Sequence, residues 1–434
     1  MTRRDFMGGA VSVAAGLPAM AVAKAGALQG GTLGAATEEI VKHDAPPRNR
    51  RPYSGLDWTK VQRVKTTSHG HCMDQKFMDA YLKRGFGLLT LSNYYPSAPW
   101  CPAGKMTKNY YRLHHEHPVV FKDKRIDGPF DWNKIVAPWK DEISDADAKR
   151  WPSWWAKYPF VEGGKIFKPL PPGILEAPNA EHHTFRLEDG RSAGSLHMCA
   201  PGSAFASGTF DAHNTSKTIS HGYCPGSGEF WGTAIDRMIA GFIYPDGGGV
   251  TINHPTWTKL SRELMLKILD WDSRVLGIEV LEAGFNSEKY WDWALSTGRQ
   301  CFGFFVPDWS IEKEVFGVNV LCVEERSVHA CLKAYRQGNF YGASHGLDEL
   351  AFTRIAFDGK TVTASTDKPA RFEVITARGV VKEVKGSEVS WTKEPEKPWQ
   401  GARVDVFARV KAYATDGSGE VLFSQPFMLT ESRW

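Results

Sequence analysis

The sequence predicts an α/β fold: a closed barrel of βα units followed by a small all-β sandwich. Three observations carry this expectation. Strand-like and helix-like segments alternate from Trp58 to Gly338. Metal-ligand residue types stand where several of the strands end. Beyond Leu347 the apolar period switches to two, the mark of half-buried strands. A βα alternation predicts a parallel sheet, and at roughly 290 residues that sheet is long enough to close into a barrel.

The elements follow in order. Val61–Thr67 reads as a strand that runs into Ser68-His69-Gly70-His71-Cys72. Asp74–Lys83 places Phe77, Met78, Tyr81 and Leu82 on one helical face and stops at Gly85. Phe86–Leu91, Ile174–Ala180 and Ser195–Cys199 read as short strands. Val250–Asn253 follows the Gly247-Gly248-Gly249 turn and ends at His254-Pro255. Leu260–Trp271 is an amphipathic helix, Gly277–Leu281 a strand, and Tyr290–Leu295 a helix stopped by Gly298. Cys301–Val306 is an apolar strand ending at Asp308, and Val328–Arg336 is a last helix closed by Gly338. In the C-terminal part, Phe372–Ile375, Val380–Val384 and Val404–Ala414 alternate, and Asp416-Gly417 marks a hairpin turn. The alternation from Val404 to Ala414 puts Val404, Val406, Ala408, Val410, Ala412 and Ala414 on one face. These strands predict a sandwich over residues 346–434, about 85 residues long and free of titratable clusters.

Composition narrows the function. The chain has 434 residues, 42% of them hydrophobic and 24% charged, with a net charge of +4. One barrel-sized domain plus a small second domain fits that length. No basic run beyond Arg48-Asn49-Arg50-Arg51 and no stacking-aromatic module points to nucleic acid. Seven Cys without CxxC pairs make neither a disulfide framework nor a zinc ribbon. No Gly-x-Ser-x-Gly elbow and no Gly-rich phosphate loop is present, so a serine hydrolase and a P-loop enzyme are disfavoured. Several of the sixteen Trp lie between Trp100 and Trp155, which predicts an ordered aromatic insertion over residues 94–170.

The N-terminus carries an address. Thr2-Arg3-Arg4-Asp5-Phe6-Met7 precedes the uncharged, weakly apolar stretch Gly8–Ala23, and Ala21-Val22-Ala23 offers a small-residue cleavage site. The stretch is too short and too rich in Gly and Ala to span a membrane stably. It resembles a twin-arginine export signal, here residues 1–24. That resemblance implies the Tat translocase as a transient partner and a periplasmic or extracellular destination. Residues 25–57, Gly/Pro/Arg-rich and aperiodic, are expected to be a linker.

The chemistry gathers at strand ends. His69 and His71, two residues apart on an extended segment, point the same way and can reach one metal ion. His254 and Asp308 fall at equivalent places. Taken in order, the polar residues resemble the PHP (polymerase and histidinol phosphatase) superfamily of metal-dependent phosphoesterases. His69 and His71, with Asp74 after them, match its HxH motif. Pro178-Asn179-Ala180-Glu181 resembles its Pro-Gly-x-Glu, with Glu176 after Pro172-Gly173 as the competitor. Leu196-His197, Asn253-His254-Pro255 and Gly277-Ile278-Glu279-Val280 fit its later strands, and Gly338-Asn339-Phe340-Tyr341-Gly342 its closing run. The resemblance covers residues 58–434. It implies a distorted (β/α)7 barrel over 58–345 with an appended β domain. It also implies metal held by His69, His71, Glu181, His197, His254 and Asp308, with Glu181 and Asp308 catalytic.

Two positions depart from the family. Ser92-Asn93-Tyr94 stands where it has Thr-Asp-His, and Asp308-Trp309-Ser310 where it has Asp-x-His. One or two ions (zinc, manganese or iron) are therefore expected where the family holds up to three. His182, His183, His213 and His221 are spare histidines, and His114-His115-Glu116-His117 lies in the insertion. The expected activity is an exported, metal-dependent phosphoesterase for a small-molecule, sugar or nucleoside phosphate. The alternatives are a catalytically degenerate metal- or carbohydrate-binding protein, and a metal-dependent amide or lactone hydrolase.

Overall fold

The computed structural model describes residues 51–72, 74–92, 103, 167–183, 185–203, 230–394 and 405–429. The export signal, most of the expected linker and nearly all of the aromatic insertion lie outside the described residues, as do Asn93, Tyr94, His114, His115, His117, His213 and His221.

Strand β1 (Gln62–Thr66) leads through residues 67–72 to helix α1 (Gln75–Lys83). The Asp74 carboxylate accepts the Lys76 and Phe77 amides and caps that helix. Strand β2 (Leu88–Leu89) runs parallel to β3 (Leu175–Glu176). Strands β4 (Glu181–His183), β5 (His197–Cys199) and β6 (Val250–Ile252) then pair antiparallel in turn. Helices α2 (Trp231–Ala240), α3 (Pro255–Thr258) and α4 (Arg262–Leu269) flank β6 in sequence. Strand β7 (Val275–Glu282) lies parallel to β6, carries the short β8 (Phe285–Asn286), and is followed by α5 (Glu288–Ser296). Strand β9 (Phe302–Val306) pairs parallel with β7.

The expected parallel pairing therefore holds for β2–β3 and β6–β7–β9. It fails at β4–β5–β6. Residues 185–196 hold turns and no helix, so β5 returns directly beside β4, and a direct return is antiparallel. Bonds between sheets join the strand ends. Gly87 N–H donates to Lys65 O, Glu181 N–H to Ser92 O, and Gly70 pairs with Asp308 in a parallel bridge.

Strand β10 (Val318–Val323), which no pattern predicted, pairs antiparallel with β1. Helix α6 (Val328–Gln337) and strand β11 (Phe340–Ala343) follow. The C-terminal strands are β12 (Phe352–Phe357), β13 (Thr361–Thr376), β14 (Gly379–Thr392), β15 (Phe407–Ala414), β16 (Val421–Phe423) and β17 (Phe427–Met428). They do not stand apart as a separate sandwich. Through β11–β16 they join β1, β10 and β11 in one nine-stranded sheet, ordered β1-β10-β11-β16-β15-β13-β12 with β14 on β13 and β17 on β15. The long β13 makes this continuity possible. Its register shifts between Ser365 and Ala370, around Pro369, so its first half pairs β12 and its second half β15.

The alternation in β15 predicted one buried face and one wet face. Arg409, on the expected wet face, is buried beside α5. Tyr53, inside the expected linker, is also buried. Its amide donates to Asn339 Oδ1 at 2.7 Å, and its hydroxyl donates to Phe340 O and accepts the Gln425 amide at 2.8 Å. One apolar core (Met78, Val320, Tyr341, Phe372, Val374) fills the space between α1 and the large sheet. A second packs α2, α4 and α5 on β5–β7 around Trp231, Ile278 and Trp291. Burying each such side chain contributes about 1.5–3 kcal/mol.

Candidate metal centre

The segment after β1 turns two imidazoles into the strand-end space. His71 N–H donates to Asp308 O at 3.1 Å, and Asp308 N–H to His69 O at 3.2 Å. This ladder fixes His69 and His71 on one face beside Asp308. Gly70 between them is required, because a Cβ there would lie 2.3 Å from the Tyr81 hydroxyl. The Nε2 atoms of His69 and His71 stand 3.2 Å apart, and Asp308 Oδ1 is 3.2 Å from each.

Glu181 opens β4 and points to the same centre. Its Oε2 lies 3.1 Å from His71 Nε2 and 3.4 Å from His69 Nε2. Its Oε1 lies 2.7 Å from His197 Nδ1 and 3.4 Å from His254 Nε2. One carboxylate thus faces two sets of imidazoles. Asn179, which replaces the glycine of the family pattern, is a brace. Its amide donates to Ser68 O and Thr90 O, and its oxygen accepts from Ala200 N.

His254 and Asp308 both sit in left-handed backbone, at φ 30° and 46°. Such conformations are uncommon outside glycine, and they bend the chain where strands β6 and β9 end. The structure thus brings His69, His71, Glu181, His197, His254 and Asp308 together. Two groups of ligand atoms within 4.8 Å of one another result: His69, Glu181 and His254, and His69, His71 and Asp308.

Electrostatics suit a cation here. All these side chains are buried except that of His197, which is 17% exposed. The ion pairs of Glu181, Asp308 and Glu279 among the described residues run only to imidazoles. Burial would lower the His69 pKa, but Asp308, Glu181 and Glu279 outweigh it and hold it well above the usual value. Burial would raise Glu181 and Asp308, yet the neighbouring imidazoles, His69 foremost, hold both well below the usual carboxylate range. The cluster therefore keeps its carboxylates ionised and draws positive charge to its centre. His254 Nδ1 is buried with no hydrogen-bond partner among the described residues, a lone nitrogen of the kind ligands satisfy. Imidazole and carboxylate donors at this spacing fit a divalent transition metal.

Other residues fall elsewhere. Asp74 is spent on capping α1. Glu176 accepts the Ala103 amide at 2.8 Å and burial raises its pKa, so Glu181 is the carboxylate of the cluster. Ser310 donates its hydroxyl to Pro307 O. His182 is fully buried next to Glu181, and burial drives its pKa down to about 3. Two tryptophans border the cluster: Trp309 stacks on His71 at 4.0 Å, and Trp257 meets the His254 ring edge-on at 4.9 Å.

Glu279 was not anticipated as a site residue. It is fully buried on β7, with Oε1 2.9 Å from His69 Nδ1 and Oε2 accepting the His254 amide at 2.7 Å. The available signal was a carboxylate inside the apolar run Val275–Val280, since charged residues are almost never fully buried unpaired.

No protein-family model matches the chain, and no curated protein matches it. Among solved structures the chain is similar to a two-domain protein from Bacteroides vulgatus described as containing a "predicted PHP-like metal-dependent phosphoesterase". The two share 13% identity over 89% of this chain and 97% of that one, with a TM-score of 0.36, too loose a likeness to carry an argument.

Proposed function

We propose that this protein is an exported hydrolase that depends on divalent metal and cleaves a phosphoester. The observation that carries the reading is the Glu181 carboxylate. Its two oxygens face different imidazole sets inside a buried cluster whose ion pairs, among the described residues, involve no Lys or Arg.

His69, His71 and Asp308 would hold one ion. Glu181 and His254, with His197 beside them, would hold a second. A bound divalent ion supplies a water of lowered pKa and a clamp for the ester oxygens. The chain does the rest. Asp308 or Glu181, both kept ionised, would accept the single proton that the attacking water gives up and return it to the departing alkoxide. His197, the partly exposed member, stands where substrate arrives. Trp257 and Trp309 offer aromatic faces that suit a sugar- or nucleoside-bearing ester. The barrel closure and the twin-arginine export signal belong to this same proposal. They rest on the βα alternation and the Thr2–Ala23 pattern.

The test is turnover. Protein loaded with zinc, manganese or iron should hydrolyse aryl phosphate monoesters or diesters, and His69→Ala should abolish this. Turnover unchanged in His69→Ala, or cleavage of lactones and amides alone, would overturn the phosphoesterase reading.

A further inference from the structure

We infer that Glu279 is a positioning residue of this site: it selects the nitrogen of His69 that faces the metal and holds the backbone that presents His254. The inference rests on the metal-dependent reading above and deepens it.

Both oxygens of Glu279 are committed. Oε1 lies 2.9 Å from His69 Nδ1, and Oε2 accepts the backbone N–H of His254 at 2.7 Å. A carboxylate oxygen accepts, so His69 Nδ1 is the donor. Nε2, which faces His71, Asp308 and Glu181, is then the nitrogen that a metal would take in place of a proton. A histidine ligand whose other ring nitrogen donates to a carboxylate is fixed in tautomer and ring orientation. The second contact does a different job. His254 sits at φ 30°, a conformation the surrounding structure has to hold in place. Strands β6 and β7 are parallel neighbours with Ile252 opposite Ile278, so Glu279 lies level with the chain leaving β6. One buried carboxylate thus spans two segments, after β1 and after β6, that each carry a metal ligand. Glu279 belongs to neither group of converging ligand atoms, which leaves it acting through His69 and His254.

Glu279→Gln separates positioning from bracing. Its amide oxygen can still accept the His254 N–H. Its NH2 would donate to His69 Nδ1 and push the ring proton onto Nε2, against the metal. Apo protein titrated with Co2+, followed by its visible spectrum, should bind roughly 10–100-fold more weakly in Glu279→Gln. The apo melting temperature should stay unchanged, which a purely structural role would not allow. Co2+ affinity equal to wild type would overturn the inference and leave the metal reading standing. Failure of wild type itself to bind Co2+ would overturn both.

A second measurement needs no variant. In Zn2+-loaded, 15N-histidine-labelled protein, His69 should show a protonated Nδ1 and a metal-bound Nε2. The opposite tautomer would overturn the inference even if Glu279→Gln failed to fold.

Discussion

Two of the clusters in which the described residues bury charge balance it in different ways. Between β15 and α5, Arg409 binds Asp292 through Nε at 2.8 Å and Glu288 through Nη2 at 3.0 Å, while Lys411 reaches Glu288 at 3.1 Å. The Arg409 guanidinium also lies over the Trp291 ring, 4.8 Å from its centroid. Two permanent cations meet two carboxylates, so this cluster is neutral by its own composition. At the strand ends, Glu181, Asp308 and Glu279 are buried with imidazoles as partners. An imidazole is cationic only when protonated, and a buried unpaired carboxylate is costly. The first cluster is balanced in charge and joins two parts of the fold. Among the described residues, the second draws its positive charge from imidazoles, by protonation or through a metal ion they would hold. Stability and ligand demand are thus separated in space, and each variant below tests that separation.

The largest expected effect is on the complete cluster. Arg409→Met leaves Asp292 without its cation and Glu288 with Lys411 alone; breaking a fully buried pair costs about 3–5 kcal/mol. Asp292 is 36% exposed, so about 3 kcal/mol is expected here, read from urea unfolding. Metal stoichiometry should not change; if it does, the two clusters are coupled and the comparison breaks. Next is metal removal. A chelator should lower the stability of wild type by about 2.7 kcal/mol relative to metal at a hundredfold excess over Kd. Arg409→Met should lose the same increment on chelation, and Glu181→Ala a smaller one.

Smaller is Trp309→Ala, which removes the stack on His71 and with it about 0.5–1.5 kcal/mol. Metal affinity by calorimetry should fall several-fold, with Arg409 unaffected. The smallest effect concerns acid. Burial would raise the Glu288 pKa, but Arg409 and Lys411 outweigh it and hold it below the usual 4.5. A depressed carboxylate contributes stability that is full above the unfolded value and is lost as pH falls through the folded one. Glu288→Gln should therefore flatten the acid side of the stability profile below pH 4.5 and leave neutral pH behaviour of the metal site alone.

The two clusters also differed in how legible they were. His69, His71, His254 and Asp308 could be picked out because a strand's end is visible in one sequence window, and alternation says which side chains share a face. Glu181 and Glu176 could not be separated that way. Both follow a proline by a few residues, and only the register of β4 against β5 puts Glu181 among the imidazoles. Glu279 was hidden because its partners, His69 and His254, are 210 and 25 residues away. Arg409 was placed on a wet face by its parity in β15, since alternation cannot say that α5 covers that face. Strand β10 was missed because Val318–Val323 is apolar except for Asn319 and carries no alternating period. The same local reading expected a separate sandwich, because nothing in it shows that β11 would pair with β16.

The central claim is that the strand-end cluster requires a divalent cation while the rest of the fold does not. Metal content and uptake measure it most directly. Apo wild type titrated with zinc or manganese, followed by calorimetry and elemental analysis, should take up one or two ions per chain. Glu181→Ala, which loses the carboxylate that faces both sets of imidazoles, should take up fewer ions than wild type while keeping the wild-type apo melting temperature. A folded wild-type chain that binds no divalent ion at millimolar metal would contradict the account.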